Sequence, residues 1–168
     1  MPTLYFLSVW LHILAATAWI GGMAFLVLVV VPWLRAAPRA NAGAFLTETG
    51  TRFRGVGWAC FAILLVTGTF NLWMRGIRLA HFTDPAWLTS RPGLTVVVKL
   101  ALFVAVLGVS AAHDFSIGPR AAVAIERAPG SAEAAALRRS ASRLGRANAV
   151  LALLLVGAAV MIVRGVPW

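Results

Sequence analysis

LYFLSVWLHILAATAWIGGMAFLVLVVVPWL, residues 4–34, contains one histidine, His12, and no formally charged side chain before Arg35. Wound as a helix, the stretch would be ~45 Å long at 1.5 Å per residue. That is well past the ~20 residues needed to cross a bilayer, so it predicts a membrane span. An imidazole inside hydrocarbon costs free energy unless it has a partner. His12 is therefore the first candidate functional residue.

The rest of the chain agrees with that class. Of its 168 residues 61% are hydrophobic and the mean hydropathy is +0.87, against ~45–50% apolar residues in an ordinary soluble domain. Further apolar stretches at about 56–74, 94–112 and 147–163 predict an all-α, integral membrane four-helix bundle forming one domain over residues 1–168. Cys60 is the only cysteine, which excludes an internal disulfide and any multi-cysteine zinc or iron–sulfur site. The net charge of +10 would point to nucleic acid in a soluble protein. Here the arginines fall in connections beside an anionic leaflet, so the lipid bilayer is the expected partner and nucleic acid is not. A cleaved signal peptide is not expected, because no basic residue precedes the first apolar run and the run exceeds the ~7–15 residues of an h-region.

Basic residues also predict orientation. The first connection holds Arg35, Arg39, Arg52 and Arg54, and the third holds Arg120, Arg127, Arg138, Arg139, Arg143 and Arg146. The second holds only Arg75, Arg78 and Arg91, and the tail Arg164. Ten against four places the first and third connections in the cytoplasm and both termini outside. In the outer connection, Ile77, Leu79, Phe82, Trp87 and Leu88 are too apolar for open solvent. Asp84-Pro85 reads as a helix cap followed by proline at the first helical position. The expectation is a short segment at the interface, anchored by Trp87, with His81 near the mouth of the bundle. After His113, Pro119 and then Pro129-Gly130-Ser131 mark a loop and a new helix start. Residues 132–146 predict a cytoplasmic helical extension running into the fourth span. Its arginines suit leaflet contact, with docking of an acidic partner as the alternative.

Within the spans the polar atoms form stripes. At 100° per residue, His12, Trp19 and Met23 share a face of the first span, and Cys60, Thr67, Asn71 and Met74 share one of the second. Lys99, Phe103, Val106, Ser110 and His113 share one of the third. Such stripes turn inward in a bilayer. Thr67, Asn71 and Ser110 read as interhelical hydrogen-bonding residues, and Gly21-Gly22 as a site of close helix packing. His12 lies ~12 Å below the outer end of its span and Lys99 ~8 Å down its own, so the two are expected to approach in the outer half. His113 lies ~18 Å deeper than His12 by the same rise, too far for both to ligate one haem iron. His12 with His81, or His12 alone, remains open for haem, with Lys99 as counter-charge to a propionate or as an iron ligand.

Four segments resemble the copper-resistance D family of bacterial inner-membrane proteins: WLHILAATAWIGGMAFL at 10–26, LLVTGTFNLW at 64–73, VVVKLALFVAVLGVSAAHDFSIGPR at 96–120 and LRRSASRLGRANAV at 137–150. More distantly they resemble the membrane protoporphyrinogen oxidases. The resemblance implies a multi-pass protein of the bacterial inner membrane, where the outside termini expected from the arginine count are periplasmic, and it makes His12 and Lys99 the positions that matter most.

Two functions follow. In the first, the protein binds or passes copper across the membrane. Cu(I) prefers thioether, thiolate and imidazole ligands, and the set available is His81, Met74, His12, Met23, Cys60 and His113, with Met161 as a further candidate. In the second, it is a b-type haem redox protein exchanging electrons with quinol or a partner, with His12, Lys99, His81 and Trp19 around the cofactor. A non-catalytic accessory subunit is a third reading. A periplasmic copper protein, a redox partner and a second copy of the chain are the candidate protein partners. Hydrolysis is not expected, since no carboxylate lies within a span and no nucleophile–base pair is evident.

Overall fold

The computed structural model describes residues 2–36, 42–128 and 130–165. All regular structure among them is helical. Four helical stretches are long and apolar enough to cross a membrane: Pro2–Trp33, Glu48–Met74, Arg91–Arg127 and Ala132–Arg164. Large apolar side chains such as Phe6, Leu28, Val66, Val104 and Leu153 are exposed along them. In water such a surface would aggregate. In hydrocarbon it is the ordinary outer face of a span.

The chain forms two compact units, Met1–Leu79 and Ala80–Trp168. In the first, helix α1 (Pro2–Phe25) passes through a π-helical turn at Leu26–Val30 into α2 (Val31–Ala36). The cause of the turn is Pro32. Proline has no N–H for the carbonyl four residues back, and its ring collides with that carbonyl. The chain widens instead, and the Val31 N–H bonds to the Leu26 carbonyl five residues earlier. Helix α3 (Ala42–Met74) runs antiparallel to α1. It ends where Gly76 takes φ +81°, with Gly76 N–H on the Trp73 carbonyl and Ile77 N–H on the Leu72 carbonyl. Those are the two bonds of a Schellman stop, which needs a left-handed residue at that point.

Ala15, Trp19, Cys60, Phe61 and Leu64 form the core of this unit. Trp19, 4% exposed, lies edge-on to Phe61 with ring centroids 5.0 Å apart. The expected close approach at the glycine pair occurs at one of them. A Cβ on Gly22 would come 2.4 Å from the Phe53 ring, whereas one on Gly21 would meet nothing within 4 Å. Gly22→Leu should therefore destabilise the α1–α3 pair by about 1–3 kcal/mol while Gly21→Leu is nearly silent. Thermal unfolding of the two variants in detergent checks this.

The second connection is a 3₁₀ turn (Leu79–Thr83), at which the second unit begins, and helix α4 (Pro85–Thr89). Asp84 caps α4, its side chain accepting from Ala86 N–H at 2.9 Å. His81 and Phe82 both lie edge-on to Trp87, with centroids 5.4 and 5.3 Å away. The helix start expected at Asp84-Pro85 is present, while Leu79 is 88% exposed. Ser90 then caps α5 (Arg91–Ala111).

Beyond α5 the expectation of a loop fails. The helix continues through a second π turn (Ala112–Ile117) into α6 (Gly118–Arg127). Pro119 does not break it, for the reason Pro32 does not break the first helix. The residue before each proline closes a bond to the carbonyl five back, here Gly118 N–H to His113. A Cβ on Gly118 would lie 2.8 Å from that same carbonyl oxygen, so the wide turn closes on a glycine. Helix α7 (Ala132–Arg164) is one continuous rod, capped by Ser131, so the predicted extension and the fourth span are a single element. α7 packs along α5 and, by its first half, along α6. Val106, at 0% exposure, is the centre of the α5–α7 contact, with Val96, Ala152 and Ala158 also buried.

Candidate functional site

The polar stripe of the first unit is built around His12. Its Nδ1 lies 2.8 Å from Thr67 Oγ1, and Thr67 Oγ1 lies 2.6 Å from the Ile63 carbonyl oxygen. A hydroxyl has one proton, and a carbonyl oxygen can only accept. At 2.6 Å the Thr67 hydroxyl must therefore donate to Ile63. Its oxygen is left to accept, so the His12 Nδ1 carries the hydrogen. The neutral ring then has its lone pair on Nε2. Thr67 thus sets the tautomer of His12, the role second-sphere partners play for histidines that contact metals.

Local packing holds the ring in place. Gly68 sits under it, where a Cβ would lie 3.3 Å from His12 Cε1. Buried Ser8, one turn from His12 on α1, donates to the Thr67 carbonyl at 3.4 Å. Asn71, one turn beyond Thr67 on α3, has its Oδ1 sealed from solvent without a hydrogen-bond donor. At the end of α3, Arg75 Nε donates to Tyr5 at 3.3 Å.

Thr67 was readable from sequence only as a bonding residue between helices. Its pairing with His12 was not, because the antiparallel register of α1 and α3 depends on the connection between them. The retrospective signal is the heptad Cys60–Thr67–Met74, which repeats the seven-residue step from His12 to Trp19.

The other candidate residues are spread out. Trp19 and Cys60 are buried in the core of the first unit. Met23 and Met74 are half-buried on α1 and α3. On α3, Cys60 and Met74 lie seven residues either side of Thr67, ~10 Å away along the axis, so neither shares a coordination sphere at the level of His12. In the second unit, His81 is half-buried against Trp87, Lys99 is half-buried on α5, and Met161 is half-buried on α7. His113 stands in the second π turn with Nδ1 3.0 Å from Asp114 Oδ1. Among the described residues no three of His, Cys, Asp and Glu gather into a metal-binding group. The third-span stripe does turn inward at Ser110, which accepts from Asn148 Nδ2 at 3.0 Å; Asn148 Oδ1 is buried without a donor.

Thr67→Val keeps the shape of the side chain and removes the hydroxyl. We expect it to weaken ligand binding at His12 by about 10–100-fold, the usual cost of losing a second-sphere partner. Isothermal titration of the two proteins with a Cu(I) complex measures the difference.

Four membrane-length helices, joined in pairs by polar side chains that face one another, define a multi-pass membrane protein. The family model for copper resistance protein D, CopD, matches residues 47–162, and the chain belongs to that family. It is thus a copper-resistance-related membrane protein. A protein of Aquifex aeolicus (strain VF5), described as "Uncharacterized protein", is 33% identical over 153 residues, covering 89% of each chain. No solved structure matches.

Proposed function

We propose that this CopD protein handles copper in the bacterial inner membrane, with His12 Nε2 as a point of contact for the ion in transit. The observation that carries the reading is the fixed tautomer: Thr67 commits its proton to Ile63 and holds the hydrogen of His12 on Nδ1. An imidazole held this way in an apolar span is prepared as a ligand for copper.

The spacing of the other ligands favours transit over storage. Met74, His12 and Cys60 offer one soft donor per ~10 Å of the α1–α3 pair, too few at any level for a tight resident centre. Passage requires contacts weak enough to release the ion. His81 and His113 are further contacts in this reading, at the two ends of the second unit's α4–α5 stretch. The ten arginines of the first and third connections support a topology with those connections in the cytoplasm and both termini in the periplasm.

One observation also favours haem. A lone imidazole at its level suits a group that brings four nitrogen ligands of its own, and here His12 would supply an axial ligand, with Trp19 on the same face of α1. Purified protein in detergent separates the two by absorption spectroscopy and metal analysis. Reversible uptake of Cu(I) on titration, without a Soret band, supports copper. A Soret band that shifts on reduction with dithionite, without copper, overturns it.

A further inference from the structure

Thr67 decides which ring nitrogen of His12 carries the hydrogen, but one hydrogen bond does not fix the tilt of the ring. The χ2 torsion of histidine is broad, and a hydrogen bond tolerates bends of tens of degrees. Held only at Nδ1, the imidazole would be able to pivot there and swing Nε2 with it. The next residue of α3 meets the ring at a second atom. A Cβ on Gly68 would lie 3.3 Å from Cε1 and 3.8 Å from Nδ1, and Nε2 falls outside 4 Å of that point. The ring therefore turns its Nδ1–Cε1 edge toward α3 and holds Nε2 farther off.

That edge lies where a side chain at position 68 would begin. The approach is particular to this residue. Gly50 and Gly55 of the same helix would meet nothing within 4 Å with a Cβ added, and Gly57 would make an ordinary contact with Trp19 Cδ1 at 3.7 Å. Glycine inside a helix is also less favourable than alanine, so packing or function has to account for it. At Gly68 the atom nearest to the added Cβ belongs to the candidate ligand.

We propose that Gly68 is a positioning residue for His12: by lacking a side chain it admits the Nδ1–Cε1 edge against α3 and so sets the direction of Nε2. A methyl there forces Cε1 back by a few tenths of an ångström. Nδ1 is tethered to Thr67 at 2.8 Å, so the ring turns about that nitrogen. Nε2 lies farther from the pivot than Cε1 and moves more. The ligand atom, its tautomer and its hydrogen bond all survive, and only its aim changes. This inference rests on the reading of His12 as a copper contact.

The test compares Gly68→Ala with Gly57→Ala in the full chain, purified in detergent, by three measurements. Cu(I) titration should show affinity about tenfold lower in Gly68→Ala, the low end for losing a group that orients a ligand, and unchanged in Gly57→Ala. The thermal melt of both should stand at or above wild type, because alanine favours the helix. Nitrogen NMR of protein labelled at its three histidines, with His12 assigned by the signal missing from His12→Ala, should show the Nδ1–H tautomer kept and the Nε2 resonance shifted in Gly68→Ala alone. An unchanged His12 spectrum in Gly68→Ala overturns the proposal. So does a melt below wild type, which would mean that α1 and α3 part to admit the methyl and that Gly68 serves packing. Wild type that takes up no Cu(I) would overturn the copper reading instead, and the spectra would still decide whether Gly68 aims the ring.

Discussion

His12→Ala should reduce the Cu(I) taken up by the purified protein on titration to background while the helices stay folded. The two effects separate because they draw on different interactions. Folding loses the hydrogen bond to Thr67, and such bonds inside membranes average only ~0.6 kcal/mol. Binding loses the donor atom itself. The Thr67→Val change is the companion experiment, since it removes the proton acceptor of Nδ1 and leaves the ligand. A graded series, with Thr67→Val weakened and His12→Ala silent, would identify His12 as the contact. Cu(I) uptake left in full in His12→Ala would reject that assignment and move attention to Cys60, Met74 or His113. The same variant answers the haem alternative, since an axial ligand cannot be removed without changing the absorption spectrum.

Gly93→Ala should be the most damaging single methyl in the described structure. A Cβ there would lie 2.0 Å from the Trp87 carbonyl oxygen and 3.0 Å from Ser90 Oγ. Both atoms are fixed. Ser90 Oγ donates to the Trp87 carbonyl at 2.6 Å and accepts from Gly93 N–H at 3.2 Å, while Ser90 N–H also reaches Trp87 at 3.0 Å. The obstacle is backbone, so no change of rotamer clears it. The expected loss is about 3 kcal/mol, at the upper end for overpacking, plus about 1 kcal/mol if the cap of α5 is broken. Thermal unfolding measures the total. Ser90→Ala, which loses the cap without the collision, should cost only the smaller share. Equal losses in the two would show that the corner yields to the methyl.

Both predictions draw on features with unequal traces in the sequence. The spans were legible because apolar length is a property of each segment taken alone, and so were the caps at Asp84 and Ser131, which act within one turn. The inward placement of Thr67 and Ser110 was legible from helical spacing. What spacing could not supply was the partner across the gap. His12 meets Thr67, and Ser110 meets Asn148, through registers set by how far each helix runs before turning. Those lengths were hidden. The first connection proved largely helical, since α3 begins at Ala42, and the third carries a helix as far as Arg127. Pro119 reads as a stop because an ordinary helix cannot take a proline in its interior. The wider hydrogen-bond ring that admits it depends on Gly118 and on a bond five residues back, neither of which hydropathy records.

The wide turns ahead of Pro32 and Pro119 have one more result. Each inserts one residue into the helical count, so everything after it is rotated by about 100° from where an uninterrupted wheel would put it. A wheel drawn from Lys99 through to Arg127 therefore assigns Arg120 and Arg127 to the wrong side of the rod. Comparisons among relatives that align these arginines by sequence need to carry the extra residue along, or they will pair faces that point in different directions.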